Sequence, residues 1–378
     1  MNITVAPDKF KGTLTAVEAA ELIARAFHAI LPEDTIRCFP LADGGEGTCR
    51  ALTAARNGVY HRVAVRGPLG EERMAEYGLS GKTAFMEMAA CSGLQLVPTE
   101  RRNPRRTSTY GFGQMIRDAI LRGAETIVAG IGGSATNDGG AGMAEALGAR
   151  FYGHDGNELH GLCGDMLGAV DRIDLTELKK TLAGVHLIIA SDVTNPLLGS
   201  QGTAEVYSRQ KGAASDDVAF LEASMSHFYR IADTGNALPL GCPGDGAAGG
   251  LGFGFRVFCN ADFESGARLV IRETGLENVL RNGGTDLVIT GEGCTDSQTE
   301  AGKLCAELAC LARKNGIPCF LLSGSVGCPP SALQTLFNGV FVSGLGRKNL
   351  EETLAHAAED LEAAARSLAA AIAAGKGK

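Results

Sequence analysis

The chain has 378 residues, of which 45% are hydrophobic and 21% are charged, and its formal net charge is −8. This length exceeds what one hydrophobic core usually organises, so we expect two domains, and the composition excludes an intrinsically disordered chain. A negative charge without a basic stripe argues against nucleic acid as a partner. The absence of an apolar run of about 18 residues argues against a membrane span.

Eleven cysteines are scattered from Cys38 to Cys328, and no two of them form a CxxC pair. An odd number of cysteines without metal-ligand spacing indicates free thiols in a reducing compartment. The first residues enter a strand-like run and carry no signal-peptide pattern. The sequence therefore predicts a cytoplasmic protein, and it leaves both a monomer and a homo-oligomer open.

Apolar strand-like runs alternate with helical patterns along most of the chain. After a first run at 3–6, a helix is predicted to open at Thr15, which can form a capping box with Glu18. Further strand-like runs lie at 35–39, 59–65, 126–129, 185–190, 287–290 and 319–322. Helical patterns follow several of these runs, and the alternation predicts an α/β fold with mainly parallel sheets.

No linker marks a domain boundary, but the alternation breaks at 66–70 and again at 283–284. We therefore predict one α/β domain built from both chain ends, residues 1–66 plus 284–378, and an inserted α/β domain, residues 67–283. In open parallel sheets, ligands bind beyond the carboxyl ends of the strands. The loops that follow the predicted strands are therefore the candidate site.

Two early loops carry charged residues directly after a strand. The first contains Asp8, Lys9 and Lys11, and a lysine ammonium suits a phosphate or a substrate carboxylate. The second places Asp43 and Glu46 among three glycines before a helix. Solvated charges in the first loop and helix capping in the second remain open as purely structural alternatives.

Arg105 lies in a segment of cations and hydroxyl side chains before a helix that we predict to start near Tyr110. Such a segment could hold a carboxylate or a phosphate. Ordinary surface basicity explains it equally well.

A strand, a glycine-rich loop and a helix follow one another at 126–148. Glycines let a ligand approach the backbone, and unpaired N–H groups at a helix start favour an anion. The pattern predicts a phosphate site, and the alternative is a turn that serves packing, with Asn137 and Asp138 as helix caps. The candidate ligands in this loop are Gly132, Gly133, Ser134, Thr136 and Asn137.

Later loops add carboxylates and cations. Asp192 directly follows a predicted strand and is the leading candidate to hold Mg²⁺ or to accept a proton, and Lys211 follows as a further cation. Glu292, Asp296 and Lys303 gather around a strand-to-helix junction. Carboxylates with nearby hydroxyls suit an oxygen-coordinated Mg²⁺ that keeps several waters.

Several familiar motifs are missing from the sequence. It has no P-loop, no protein-kinase motif set, no GxSxG elbow and no HExxH helix. No GxGxxG pattern follows a strand convincingly, so dinucleotide binding is weakly supported.

Seven segments in chain order carry a family resemblance: APDKFKGTL, PLADGGEGT, GIGGSATNDGGAGM, SDVTNPLLG, QKGA, PGDGAAGGLG and TGEGCTDSQTEAGK. Together they resemble the bacterial glycerate kinase family, in its glycerate 2-kinase branch. The resemblance implies ATP-dependent phosphorylation of D-glycerate to 2-phosphoglycerate in glyoxylate or sugar-acid breakdown, with 3-phosphoglycerate as the alternative product. It also implies two α/β domains, one of them flavodoxin-like or Rossmann-like, with the active site in the cleft between them.

This resemblance leads to a hypothesis for each candidate residue. ATP phosphates are expected at Gly132, Gly133, Ser134, Thr136, Asn137 and Lys211. Substrate is expected at Asp8, Lys9, Lys11, Arg105 and Lys303, and Mg²⁺ at Asp192, Glu292 and Asp296. The expected catalytic residues are Asp192 first and Asp43 second, to orient or deprotonate the attacking hydroxyl, and Lys11, to offset charge.

Two other classes of function stay open from the residues alone. One is a non-catalytic sensor that binds a sugar acid or a nucleotide, and the other is a nicotinamide-dependent dehydrogenase. Release of ADP in the presence of glycerate distinguishes a kinase from a sensor, and an absorbance change with NAD(P)H tests the dehydrogenase.

Overall fold

The computed structural model of the chain describes residues 1–42, 44–232, 241–296, 304–344, 346–347 and 349–376. Fourteen strands lie within these ranges: β1 Asn2–Val5, β2 Thr35–Cys38, β3 Val59–Arg66, β4 Glu72–Ser80, β5 Thr83–Glu87, β6 Thr126–Gly130, β7 Arg150–Gly153, β8 Glu158–Leu159, β9 Val170–Asp174, β10 His186–Ala190, β11 Asp262–Glu264, β12 Leu287–Thr295, β13 Cys319–Val326 and β14 Gly339–Val342.

The same ranges contain fifteen α-helices: α1 Ala16–Ile30, α2 Thr48–Ala55, α3 Ala89–Ser92, α4 Tyr110–Leu121, α5 Ala141–Ala146, α6 Thr176–Thr181, α7 Thr203–Tyr207, α8 Ser215–Ala232, α9 Ala247–Cys259, α10 Gly266–Glu273, α11 Leu276–Arg281, α12 Leu304–Lys314, α13 Pro330–Leu336, α14 Leu350–Ala355 and α15 Ala357–Lys376. Short 3₁₀ helices lie at Leu94–Leu96, Thr99–Arg101, Gly164–Ala169 and Arg209–Lys211. None of the helices in the described ranges combines the length and the apolar character that crossing a membrane requires.

The first unit comprises Met1–Asp43 and Gly266–Lys378 and contains a five-stranded parallel sheet in the order β14-β13-β12-β1-β2. Helix α1 begins as the sequence predicts, with the Thr15 side chain capping the Glu18 amide and the Glu18 side chain returning to the Thr15 amide. Its apolar face, with Ile23 and Phe27, packs with α15 against this sheet. This packing buries the centre of the first unit.

The second unit, Gly44–Ser265, contains a six-stranded sheet in the order β11-β10-β6-β5-β4-β3. Strands β5, β6, β10 and β11 are parallel, whereas β3, β4 and β5 form an antiparallel meander. Glu87, Gly130 and Ala190 are register partners at the ends of β5, β6 and β10. The loops that follow these strands therefore start from one edge of the sheet.

The structure confirms an α/β fold with mainly parallel sheets. A separate antiparallel sheet, β8-β7-β9, was not expected from the sequence. Strand β3 ends at Arg66, where we placed a domain boundary, yet it pairs along its whole length with β4 in the second unit. Both unit boundaries accordingly lie earlier in the chain than 66/67 and 283/284.

Candidate functional site

The candidate site of the second unit lies at the carboxyl edge of its parallel strands. Here the loop after β6, residues 131–140, lies beside the segment that starts with Gly44. A Cβ added to Gly130 would lie 2.5 Å from the Gly44 carbonyl oxygen, and one added to Gly132 would lie 2.9 Å from the Gly45 Cα. Part of the high glycine density in both loops is therefore explained by backbone packing within the protein.

Lys211 lies beneath the loop after β6 and is only 3% exposed. Its ammonium donates hydrogen bonds of 2.7 Å to Ser134 Oγ and 2.7 Å to the Thr136 carbonyl oxygen. Burial lowers the pKa of Lys211 to about 7, although the negative charge of Asp138 acts in the opposite direction. Three residues of the predicted phosphate site, Ser134, Thr136 and Lys211, are therefore in direct contact. These contacts join protein groups to one another.

The amides at the start of α5 are already occupied. The buried carboxylate of Asp138 accepts hydrogen bonds from the amides of Gly140 and Gly142, and Thr109 Oγ1 accepts one from Met143. Asp138 also accepts from the amide and the hydroxyl of Thr109. The expectation that these helix-start amides hold phosphate is therefore wrong, and Asp138 serves as a cap, as the structural alternative proposed.

The solvent-facing part of this loop is its beginning. Gly133 is exposed, Gly132 is partly exposed and Ser134 is 8% exposed, whereas Thr136 and Asn137 are fully buried. Among the described residues, neither polar atom of the Asn137 side-chain amide has a hydrogen-bond partner. Because an unpaired buried amide is costly, Asn137 is a second unusual feature of the loop.

Asp192 follows β10 at the same edge of the sheet and its side chain is exposed. The loop that carries it is anchored by Asn195, whose side-chain oxygen accepts a 2.6 Å hydrogen bond from the Tyr207 hydroxyl and whose amide donates to the Gln201 carbonyl. The Asn195 carbonyl oxygen also accepts from the Gly246 amide. Asp192 thus combines an exposed carboxylate with a fixed backbone.

Arg105 has protein partners in place of the predicted substrate contact. Its guanidinium hydrogen bonds to Asp165, donates to Asp217 at 2.9 Å, and stacks over the Phe220 ring at 4.0 Å. Two carboxylates and an aromatic ring hold this side chain, so its position is explained without a ligand.

Glu87 is a residue of this edge that the sequence analysis missed. Its carboxylate accepts hydrogen bonds of 3.0 Å from the Gly47 amide and 2.7 Å from the Cys49 amide, at the start of α2. A carboxylate at the carboxyl end of an apolar strand was the available signal. Glu87 fixes the glycine-rich segment 44–47 against the end of β5.

The first unit brings another set of predicted residues towards the carboxyl ends of β1 and β12, although Glu292 lies within β12 and not in the loop that follows it. The Asp8 amide donates to the Gly291 carbonyl oxygen at 2.8 Å, and a Cβ on Gly293 would lie 3.0 Å from the Lys11 amide nitrogen. Glu292, which is 6% exposed, accepts a 2.9 Å hydrogen bond from the Thr295 hydroxyl. Asp8 and Lys9 are partly exposed and Lys11 is exposed, so these charged groups can reach a ligand.

Asp43 and Lys303 lie outside the described residues. Within the described part of the chain, no three His, Cys, Asp or Glu side chains are grouped closely enough to hold a metal ion. This finding excludes an all-protein metal cage from the described residues. It is compatible with Mg²⁺ that takes most of its ligands from phosphates and water.

The buried lysine predicts a pH dependence of folding. The pKa of a lysine in an unfolded chain is about 10.4, so between about pH 7 and pH 10 the unfolded chain binds more protons than the folded one. The free energy of unfolding should therefore gain a rising contribution across this window. Urea unfolding at several pH values should show that Lys211→Met lacks this contribution, whereas Lys179→Met, a change of an exposed lysine in α6, keeps it. Equal slopes in all three proteins would contradict the prediction.

We compared the chain and its structure with known proteins. The model of the glycerate kinase family matches residues 3–373. The chain is 42% identical over 376 residues to glycerate kinase of Bacillus subtilis, covering 98% of each chain, and 40% identical over 379 residues to glycerate 2-kinase of Escherichia coli, covering 99% of each. A crystal structure of the protein designated glycerate kinase 2 from Salmonella typhimurium LT2 superposes with a TM-score of 0.85 at 39% identity, over 100% of both chains. The chain therefore belongs to the glycerate kinase family.

Proposed function

We propose that this protein transfers the γ-phosphoryl group of ATP to the 2-hydroxyl of D-glycerate, forming 2-phosphoglycerate and ADP. Family membership over nearly the whole chain carries this proposal. The similarity to a glycerate 2-kinase over 99% of both chains favours the 2-hydroxyl over the 3-hydroxyl. A chain used only for sensing would have no need of a carboxylate in several separate loops that follow strands, such as Asp8, Asp192 and Asp296.

The proposed phosphate site is the beginning of the loop after β6. Gly132 and Gly133 offer accessible backbone, and the Ser134 hydroxyl lies next to the buried ammonium of Lys211. Thr136 supports this site through its carbonyl oxygen. The unpaired amide of Asn137 supports a further polar contact in the loaded enzyme.

Asp192 is the proposed centre of the chemistry. Its exposed carboxylate fits a Mg²⁺ ion held mainly by phosphate oxygens and water, with Glu292 and Asp296 as further proposed ligands. Bound Mg²⁺ would neutralise charge on the phosphates during transfer. In its alternative role, Asp192 orients the substrate hydroxyl and accepts its proton, and Asp43 is the second candidate for that role.

The proposed glycerate site uses the loop after β1. Lys9 and Lys11 supply positive charge for the glycerate carboxylate, and Asp8 supplies an acceptor for a hydroxyl. Lys303 stays a further candidate. In the reaction, the substrate oxygen forms a bond to the γ-phosphorus, the bond from that phosphorus to the β–γ bridging oxygen breaks, and ADP leaves with the electron pair.

The direct test is ³¹P NMR of the products formed from D-glycerate and MgATP by the purified full chain. We expect ADP together with a single new phosphate-ester resonance that matches 2-phosphoglycerate. A resonance that matches 3-phosphoglycerate would overturn the regiochemistry and keep the kinase. No ADP in the presence of glycerate would overturn the enzyme assignment.

Removal of the Lys11 ammonium should weaken glycerate binding, because a charge-assisted hydrogen bond contributes about 1.5–3 kcal/mol. We expect Lys11→Ala to raise the glycerate KM by about tenfold or more, with a smaller change in the ATP KM. Lys314→Ala is the matched control, since Lys314 is an exposed lysine at the end of α12. An unchanged glycerate KM in Lys11→Ala would assign the carboxylate contact to another cation.

A further inference from the structure

A buried lysine with two protein acceptors raises the question of how its charge reaches a ligand. Lys211 is 3% exposed, and its ammonium already contacts Ser134 Oγ and the Thr136 carbonyl oxygen, each at 2.7 Å. Of these three residues, Ser134 keeps the largest exposed fraction, 8% against 3% for Lys211 and 0% for Thr136. Direct contact between Lys211 and a nucleotide would require the loop to open.

The chemistry of the ammonium fixes the direction of the hydrogen bond to Ser134. A protonated lysine has three N–H donors and no acceptor, so Ser134 Oγ must be the acceptor in this contact. The hydroxyl hydrogen of Ser134 therefore points away from Nζ. Within the described residues, no group accepts a hydrogen bond from this hydroxyl.

A hydroxyl that accepts a hydrogen bond from a cation is polarised and becomes a stronger donor. The resulting O–H lies beside the accessible backbone of Gly132 and Gly133. We propose that Lys211 is a positioning residue that acts through Ser134, holding its hydroxyl as an outward donor to a nucleotide phosphate oxygen. This inference rests on the proposed function, because it concerns the same phosphate site.

The opposite protonation state would reverse the arrangement. A neutral amine has a lone pair, so the Ser134 hydroxyl could turn inward and donate to Nζ, and the outward donor would be lost. The burial that lowers the pKa of Lys211 to about 7 makes this change accessible near neutral pH. A bound phosphate anion would favour the ammonium again, so nucleotide binding should be coupled to proton uptake.

The other charged groups around Lys211 have partners of their own, so the coupling between nucleotide binding and proton uptake is assigned to Lys211 and Ser134. Asp138 lies on the same loop as Ser134 and stabilises the ammonium, but its carboxylate already accepts hydrogen bonds from four donors. The charged side chains on the neighbouring elements have partners of their own: Arg209 with Glu205, Arg105 with Asp165 and Asp217, and Arg102 with the Val97 carbonyl oxygen.

A double-mutant cycle on ATP affinity tests the proposal. Ser134→Ala and Lys211→Met should each weaken ATP binding by about tenfold or more, and the double variant should be no weaker than either single variant. Multiplied effects in the double variant would overturn the proposal and indicate that Lys211 contacts the nucleotide independently. Unchanged ATP affinity in both single variants would overturn it as well.

The pH dependence of the ATP KM is a second test, because a lysine with a purely structural role would not change it. Above pH 7 the ATP KM of the wild type should rise with pH, and Ser134→Ala should flatten this rise while keeping Lys211 in place. Titration calorimetry with ATP in buffers of different ionisation enthalpy should show proton uptake near pH 7.5 in the wild type and in Lys179→Met. A pH profile in Ser134→Ala that parallels the wild type would overturn the proposal.

These outcomes are separable from failure of the proposed function. If the wild type binds ATP with proton uptake but does not release ADP with glycerate, the kinase assignment fails and the Lys211–Ser134 inference stands. If ADP is released and the two variants keep wild-type affinity and pH profile, the inference fails and the kinase assignment stands. Ser134→Ala also keeps the test decisive if Lys211→Met does not fold.

Discussion

Replacement of Asp192 by asparagine should lower kcat by about 100-fold or more, as losses of a general base or a metal ligand usually do. Asp192 is exposed, so the change removes one charge and leaves the size of the side chain nearly unchanged. The fold should therefore tolerate it, and circular dichroism and the urea midpoint should match the wild type. The assay is initial rates of ADP release with D-glycerate and MgATP.

The same variant can separate the two roles of Asp192. If its carboxylate helps to hold Mg²⁺, higher Mg²⁺ concentrations should restore part of the rate, because the remaining ligands still bind the ion more weakly. If it accepts the hydroxyl proton, added Mg²⁺ should have no effect, and the loss should persist at saturating substrate.

Asp262→Asn is the matched control for this prediction. Asp262 is an exposed aspartate at the start of β11, at the opposite edge of the same sheet from Asp192, and its carboxylate contacts His186. We expect wild-type kcat from it. Near-normal turnover in Asp192→Asn would remove Asp192 from the mechanism.

Most of the parallel strands were accessible to sequence reasoning because they are short apolar runs followed by polar loops, whereas the parallel strands β5, β11 and β14 were not predicted. Strands β1, β6, β10, β12 and β13 all begin within two residues of the predicted runs. The antiparallel strand β4 escaped because charged residues such as Glu72 and Glu76 alternate with its buried positions Ala75 and Tyr77. The signal that was missed is the alternation of buried and exposed residues, with a period of two, within a segment of polar composition.

The candidate site was predictable in its residue types and not in its contacts. The sequence placed Ser134 and Lys211 in one site, but no local pattern relates residues 77 positions apart as donor and acceptor. Nor does a sequence reveal that the Asp138 carboxylate accepts hydrogen bonds from the amides at the start of α5. The burial of Asp138 depends on packing across the whole unit. Arg105 shows the same gap, because its partner Asp217 lies 112 positions away.

The glycine tract at 244–254 shows how far this packing extends. Its residues pack against the loop after β6. The Gly249 carbonyl oxygen accepts a 3.0 Å hydrogen bond from the Gly139 amide, and Cβ atoms on Gly250 and Gly254 would lie within 3.0 Å of the backbone of Gly139. The tract therefore supports the loop after β6 by direct backbone packing.

Substitution of Gly249 by alanine should be strongly destabilising for this reason. Gly249 has a φ of +74°, and its added Cβ would lie 1.9 Å from the Thr136 carbonyl oxygen. The left-handed backbone alone costs about 1–2 kcal/mol for a residue with a Cβ, and overpacking adds about 1–3 kcal/mol. Relief of the clash must also move the carbonyl oxygen that accepts from Lys211. We therefore expect both a lower free energy of unfolding in urea and a higher ATP KM.

Gly184→Ala separates the two contributions. Gly184 has a φ of +77°, close to that of Gly249, but a Cβ there would meet no atom of the described residues within 4 Å. This control should show the backbone cost alone and should keep the wild-type ATP KM. If Gly249→Ala loses no more stability than Gly184→Ala and binds ATP normally, the contact with Thr136 does not constrain the loop. If Gly249→Ala raises the ATP KM while the control does not, the tract acts on the site through the Thr136 backbone.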